Sequence, residues 1–215
     1  MKNGMTASKA TPSFWLDEKP LILASGSATR VNMLQSAGLK PDIIKPDVDE
    51  RAIERPLHAR GATAAEVSGE LAKAKAVAIS VLHPGRWVLG ADQTLDCKGE
   101  FLHKSATLAA ARHQLMKLSG QMHCLTSAAA LVCDGEIHAV CVSTARLNMR
   151  QLNSDMVDTY LEKTGNSILA SVGGYQLENL GVHLFEKIEG DHFTILGLPL
   201  LQLLADMRRL GLVAT

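Results

Sequence analysis

Asp92 closes an apolar run, Val88-Leu89-Gly90-Ala91, and is followed by Gln93 and Thr94. In an open α/β sheet, a carboxylate at the C-terminal end of a buried strand lies where ligands bind. There it can hold a divalent cation or take a proton from attacking water. Alone it reads equally well as a turn former, so its meaning depends on what converges with it. Leu23-Ala24-Ser25-Gly26-Ser27-Ala28-Thr29-Arg30 runs from an apolar strand through a small-residue loop into a helix marked by Val31, Leu34 and Ala37. Ser25 and Ser27 offer hydroxyls, the helix start offers unpaired N–H groups, and Arg30 offers a fork of donors. That set suits phosphate. The plainer reading makes Ser27 an N-cap and leaves Arg30 in water.

Two further stretches fit the same task. Asp47-Val48-Asp49-Glu50 concentrates carboxylates that can ligate a hard cation, or that form a solvated acidic loop. Lys73 and Lys75 lie two apart on one expected helix, so one can face a site while the other faces water. Lys104 arrives at the end of a hairpin that begins at Thr94 and turns at Lys98-Gly99, just before a helix that Ser105 or Thr107 can cap.

The elements that must position these residues are mixed α and β. Strands are expected at 21–24, 42–45, 87–91 and 93–96, and helices at 28–37, 63–81 and 105–117. A long hairpin, 122–133 and 136–149, turns at Asp134-Gly135. A helix at 153–163 is capped by Asn153 or Ser154 and ends near Gly165, and 182–189 reads as a strand. The last helix opens at Pro199 and packs Leu200, Leu203, Leu204 and Met207.

Composition bounds the function. The 215 residues imply a single domain over 21–215, after a polar tail at 1–20 expected to lie outside the fold. Net charge is zero, with 22 basic and 22 acidic residues, so no basic footprint for long nucleic acid exists. No apolar stretch reaches membrane-spanning or signal-peptide length. Cys97, Cys124, Cys133 and Cys141 form no CxxC pair and are expected as reduced core thiols in a cytoplasmic protein. The histidines show no metal-ligand spacing; His123 alone is singled out, with a hydrogen-bonded turn as its plain role.

The chain resembles the Maf family of nucleoside triphosphate pyrophosphatases from about Leu21 to Leu210. The resemblance rests on Leu-Ala-Ser-Gly-Ser-x-x-Arg at 23–30, Asp-Val-Asp-Glu at 47–50, Leu-Ala-x-x-Lys-Ala at 71–76 and Gly-Ala-Asp at 90–92. Lys104, Leu-Ser-Gly-x-x-His at 118–123, Gly-x-Tyr-x-x-Glu-x-Leu-Gly at 173–181 and Gly-Leu-Pro-Leu at 197–200 follow in order. It implies a mixed α/β fold similar to that of inosine-triphosphate pyrophosphatases, an elongated mixed sheet with two lobes around a nucleotide cleft. It implies hydrolysis of a nucleoside triphosphate to monophosphate and pyrophosphate, and a homodimer. By family position Arg30, Lys75 and Lys104 grip phosphates, and Ser25 and Ser27 line their loop. Glu50 and Asp92 hold Mg²⁺ or Mn²⁺ or its water, with Asp92 as general base.

Three positions bear on the base. Thr29 stands where the family usually places Arg or Trp, and cannot supply a charged or stacking contact. Gln93 and Glu178 resemble the branch acting on 7-methyl-GTP, where the dTTP/UTP branch has Thr and Gln. A guanine edge presents two adjacent donors, which an acceptor-only carboxylate matches, and a 7-methylated purine is cationic. The expectation is a guanine-type base, 7-methylguanine included. Rival readings are a pyrophosphatase preferring dTTP or UTP, a phosphatase or nucleotidyl transferase using the same groups, and a non-catalytic nucleotide-binding regulator of septum formation and division.

Overall fold

The structure is a computed structural model that describes residues 14–214. Its centre is one mixed seven-stranded sheet: β1 (Ile22–Ala24), β2 (Asp42–Ile43), β3 (Val88–Cys97), β4 (Glu100–Leu102), β5 (Met122–Cys133), β6 (Glu136–Met149) and β7 (Phe185–Glu189). The order is β2-β1-β3-β5-β6-β7, with β4 also on β3. β1 runs parallel to β2 and β3, and the remaining pairs are antiparallel. The helices are α1 (Ala28–Ser36), α2 (Glu50–Ala59), α3 (Ala64–Ser80), α4 (Leu108–Leu118), α5 (Ser154–Thr164), α6 (His192–Ile195) and α7 (Leu200–Arg209). The expected mixed α/β class holds.

Strand alternation sorts the core by face. Val88, Ala128, Ala130 and Val132 turn to one face and pack on Ala72, Ala76 and Ile79 of α3. Leu89, Ala91, Ala129 and Leu131 turn to the other and meet α1 and α7. Leu95 and Leu125 lie on that second face further along, under α4, α5 and the segment 168–184. Two apolar clusters therefore cover one face of the sheet side by side, as a two-lobed arrangement requires.

Both hairpin turns form as expected. Lys98 and Gly99 have φ of 56° and 81°, and Asp134 and Gly135 have 49° and 78°. Positive φ at both central residues is the turn whose twist matches paired strands. Other expectations need correction. Residues 87–91 and 93–96 are not two strands: β3 runs unbroken through Asp92, because β5 pairs with it from Val88 to Asp96. The helix expected from 105 begins at Leu108, because Thr107 caps it while Ser105 bonds Gln114 instead. Only 185–189 of the strand expected at 182–189 is extended. Residues 180–184 form a 3₁₀ turn, tied down by Gly181 N donating to Gln176 O and Val182 N to Asn179 O.

Helix α2 was not expected at all. Pro56 inside it and its polar surface hid the signal, which was Asp49 as N-cap followed by Ile53 and Leu57 four apart. Residues 1–13 of the expected tail lie outside the described residues. Of the rest, Trp15 bridges antiparallel to Val213, and Leu16 N donates to Leu212 O at 2.9 Å. The four cysteines are free thiols, and no described helix is long and apolar enough to cross a membrane.

Candidate active site

The sheet has a notch at residues 91–94 of β3. On the edge opposite β5, β1 reaches only as far as Gly90, and β4 begins its pairing at Leu95. Between them that edge of β3 has no strand beside it, and chemistry from both faces can meet there. Asp92 is thus not at the end of its own strand. It lies just past the end of its parallel neighbour, on an edge of β3 that opens to a cavity.

On one face, Lys75 reaches Asp92 from α3. The approach depends on Gly90, where an added Cβ would lie 2.1 Å from Ala72 O and 2.7 Å from Ala76 N. With no side chain there, α3 settles onto β3. The Lys75 ammonium then stands 2.5 Å from Asp92 Oδ1 and 2.8 Å from Glu50 Oε1. Lys75 and Asp92 are buried, 8% and 7% exposed, so the ammonium is held by charge partners in a low-dielectric place. Asp92 Oδ2 has no protein partner among the described residues. Glu50 is brought in by the first turn of α2, which Asp49 caps by accepting from Ala52 N. Asp47 makes no such contact, and Lys73 turns outward to pair with Glu70, as two-residue spacing predicts.

On the other face, Arg30 is clamped rather than solvated. Its Nε donates to Gly197 O at 2.8 Å, and its Nη1 donates to Ala91 O and Ser25 Oγ. Nη2 makes no hydrogen bond among the described residues. Burial pulls the guanidinium down from its ordinary pKa, against the pull of Asp92 and Glu50 upward; it stays a cation. Ser27 is the N-cap of α1, accepting from Arg30 N. Its plain role is therefore real, and Ser25 serves mainly to hold Arg30. Lys104 is carried by a segment that buried Gln114 clamps on both sides, donating to His103 O and accepting from Ser105 Oγ. The Lys104 ammonium is held below the usual lysine range by burial, then by the charges of Arg30 and Lys75.

These groups line one cavity of about 580 Å³, a volume suited to a nucleotide. Ser27, Thr29, Arg30, Glu50, Lys75, Asp92, Gln93, Lys104 and Glu178 all face it, while Ser25 sits behind Arg30. Gln93 donates from Nε2 to Thr194 O, Ile195 O and Ser127 Oγ at 3.0–3.1 Å. Two backbone carbonyls fix that amide orientation, since the amide oxygen could not sit against them. Its Oε1 is thereby the atom left over at the cavity wall. Sequence reasoning missed the contributions of α2 (Arg51, Glu54 and His58) because it missed the helix. Glu50, Glu54 and His58 at spacings of four were the available sign.

His123 is not a turn residue. It lies in β5, 1% exposed, with Nε2 2.7 Å from the hydroxyl of Tyr175, another cavity residue. Burial pushes its pKa down from 6.5 to about 4. The unfolded chain therefore binds this proton at higher pH than the folded one, so the stabilising effect is intact above pH 6.5 and lost as pH falls toward 4. At full effect the loss is about 3 kcal/mol. Urea midpoints measured from pH 7 to pH 4 should fall, and should fall less in His123→Gln.

Known proteins bear on this geometry. A family model described as Maf-like protein matches residues 20–210. The chain is 49% identical over 201 residues to a nucleoside triphosphate pyrophosphatase of Nitrobacter hamburgensis, covering 93% of this chain and 98% of the relative. It is 49% identical to a 7-methyl-GTP pyrophosphatase of Mesorhizobium japonicum, covering 90% and 97%. A 7-methyl-GTP pyrophosphatase of Brucella abortus matches at 47%, covering 88% and 95%. A family match over residues 20–210, with relatives 47–49% identical across about nine-tenths of the chain, shows that this chain belongs to the Maf family.

Proposed function

We propose that this chain hydrolyses a nucleoside triphosphate between the α- and β-phosphates, with Asp92 as general base and a guanine-type base, 7-methylguanine included, as the preferred one. The observation that carries the reading is the Lys75 ammonium bridging two carboxylates in a cavity that Arg30 and Lys104 also line. Cations on three separate elements suit a triphosphate along its length. Water attacks the α-phosphorus and its proton passes to Asp92, for which Oδ2 is free. The bond to the bridging oxygen breaks, and pyrophosphate leaves with the monophosphate behind. Lys75 holds Asp92 and Glu50 in place and, with Arg30 and Lys104, takes phosphate charge.

A divalent cation, Mg²⁺ or Mn²⁺, is the proposed cofactor. Among the described residues no group of three His, Cys, Asp or Glu could hold one. Asp92 and Glu50 suit it only as part of a set completed by phosphate oxygens and water, which is the habit of Mg²⁺. When bound it neutralises phosphate charge at the bond under attack. A single domain over 21–215, a cytoplasmic location and a homodimer complete the reading.

The base preference rests on acceptors. Gln93 Oε1 and the Glu178 carboxylate are both acceptors on the cavity wall, suited to the donor edge of guanine. The test is pyrophosphate release from 7-methyl-GTP, GTP, UTP, dTTP and CTP, with Mg²⁺ and after chelation, for the wild type and Glu178→Gln. The wild type should favour 7-methyl-GTP and stop on chelation. Glu178→Gln should lower the 7-methyl-GTP to UTP ratio of kcat/KM about 10- to 100-fold, the worth of one charged hydrogen bond. A wild type that prefers UTP or dTTP sinks the base assignment and leaves the chemistry standing.

A further inference from the structure

We infer that Tyr175, pinned by His123, is a positioning residue that sets the wall of the cavity against the nucleobase. The inference rests on the triphosphate reading above. Residues 165–184 contain 3₁₀ turns and no regular helix or strand longer than six residues. A segment of this kind holds its shape only where something outside it fixes it. The other hydrogen bonds of residues 171–178 stay close in sequence: Ser171 N to Ile168 O, Gly174 N to Ser171 O, Gln176 Nε2 to Ser167 O, Gln176 O accepting from Asn179 N and Gly181 N, and Gln176 Oε1 accepting from Asn179 Nδ2. Beyond these, the Gln176 backbone meets the Tyr160 hydroxyl of α5 and not the sheet. Among the described residues, the bond that ties this stretch to the sheet is the one between the Tyr175 hydroxyl and His123 Nε2, at 2.7 Å.

Packing makes that bond decide the wall. The Tyr175 ring is 4% exposed and stands edge-on to Phe185 with centroids 4.8 Å apart. Gly173, at φ 84°, lies so close that an added Cβ would be 2.6 Å from Tyr175 Cε1 and 2.7 Å from Leu95 Cδ1. The turn is moulded on the ring, so wherever the ring goes the turn must follow. Val172 and Leu177 flank it and line the cavity, and Glu178 comes next. The phosphate cations Arg30, Lys75 and Lys104 sit on other elements and do not depend on it. Loosening Tyr175 should therefore weaken recognition of the base and leave recognition of the phosphates alone. A neutral His123, its pKa near 4, keeps the pair uncharged at ordinary pH.

The test measures dissociation constants by calorimetry for α,β-methylene GTP, which resists hydrolysis, and for inorganic tripolyphosphate, which has no base. Tyr175→Phe, which keeps the ring, and His123→Leu should each weaken the nucleotide about five- to tenfold, the worth of one buried hydrogen bond. Tripolyphosphate binding should stay within about twofold on the same scale. His123→Gln, which can still bond the hydroxyl, should recover nucleotide affinity. Equal weakening of both ligands would mean a merely structural role and overturn the inference, as would unchanged nucleotide binding in Tyr175→Phe. Because binding is read directly, a wild type that releases no pyrophosphate defeats the catalytic reading while the comparison still decides this one.

Discussion

Asp92→Asn lowers kcat for pyrophosphate release by about 10²–10⁴-fold, the range for loss of a general base, and leaves the fold intact. Asparagine keeps the size of aspartate and an oxygen that can still accept from Lys75 at the position of Oδ1, 2.5 Å away. It cannot take a proton from water. If Asp92 only paired with Lys75 to hold α3 on the sheet, the substitution would remove a buried charge partner and act on stability first. The two roles therefore separate in one experiment, with kcat and the melting temperature measured on the same preparation. A collapse of kcat at a nearly unchanged melting temperature supports the base. Activity within about tenfold of wild type, well short of the general-base range, would sink it. Glu50→Gln is the useful companion, because its side chain is half exposed and carries less of the fold. An equal loss there would point to shared cation binding rather than to proton transfer at Asp92.

The polar motifs were legible because residue type and order are enough to nominate them. Glu50, Lys75, Asp92 and Lys104 come from four separate parts of the chain and do meet in one cavity. What the sequence could not convey was the notch. That depends on where β1 stops pairing and β4 starts, which are facts about neighbours and not about β3 itself. A local reading could only explain the prominence of Asp92 by ending the strand there. The roles of Ser25 and Gln93 were hidden for the same reason. Both act through partners far along the chain or on its backbone: Ser25 Oγ on Arg30, and Gln93 on the carbonyls of Thr194 and Ile195. Backbone carbonyls carry no sequence signal. Helix α2 was lost to Pro56, whose general preference against helix interiors was overridden by the Asp49 cap and by Leu57 buried in the small cluster with Val67 and Leu71.

The glycine two residues before Asp92 carries the second large prediction. Gly90→Ala adds one carbon, and its nearest neighbours would be backbone: Ala72 O at 2.1 Å and Ala76 N at 2.7 Å. A flexible side chain could swing aside, but a helix backbone cannot do so without moving as a unit. The substitution must lift α3 off β3 through the middle of the cluster formed by Ala72, Ala76, Val88 and Ala130. The expected cost is about 3 kcal/mol, the upper end of ordinary overpacking, or about 6–12 °C in melting temperature for a chain of this size. Lys75 lies on the same turn of α3 as Ala72 and Ala76, so it is carried away from Asp92 by the same movement. Activity at a temperature where the variant is still folded should therefore fall with stability. Distant cavity-forming changes on the opposite face, such as Leu203→Ala in α7, should lower the melting temperature by a similar amount and spare kcat. If Gly90→Ala loses stability but keeps full turnover, the close contact of α3 with β3 is a packing feature alone. The Lys75–Asp92 pair would then tolerate a separation that this geometry does not allow it.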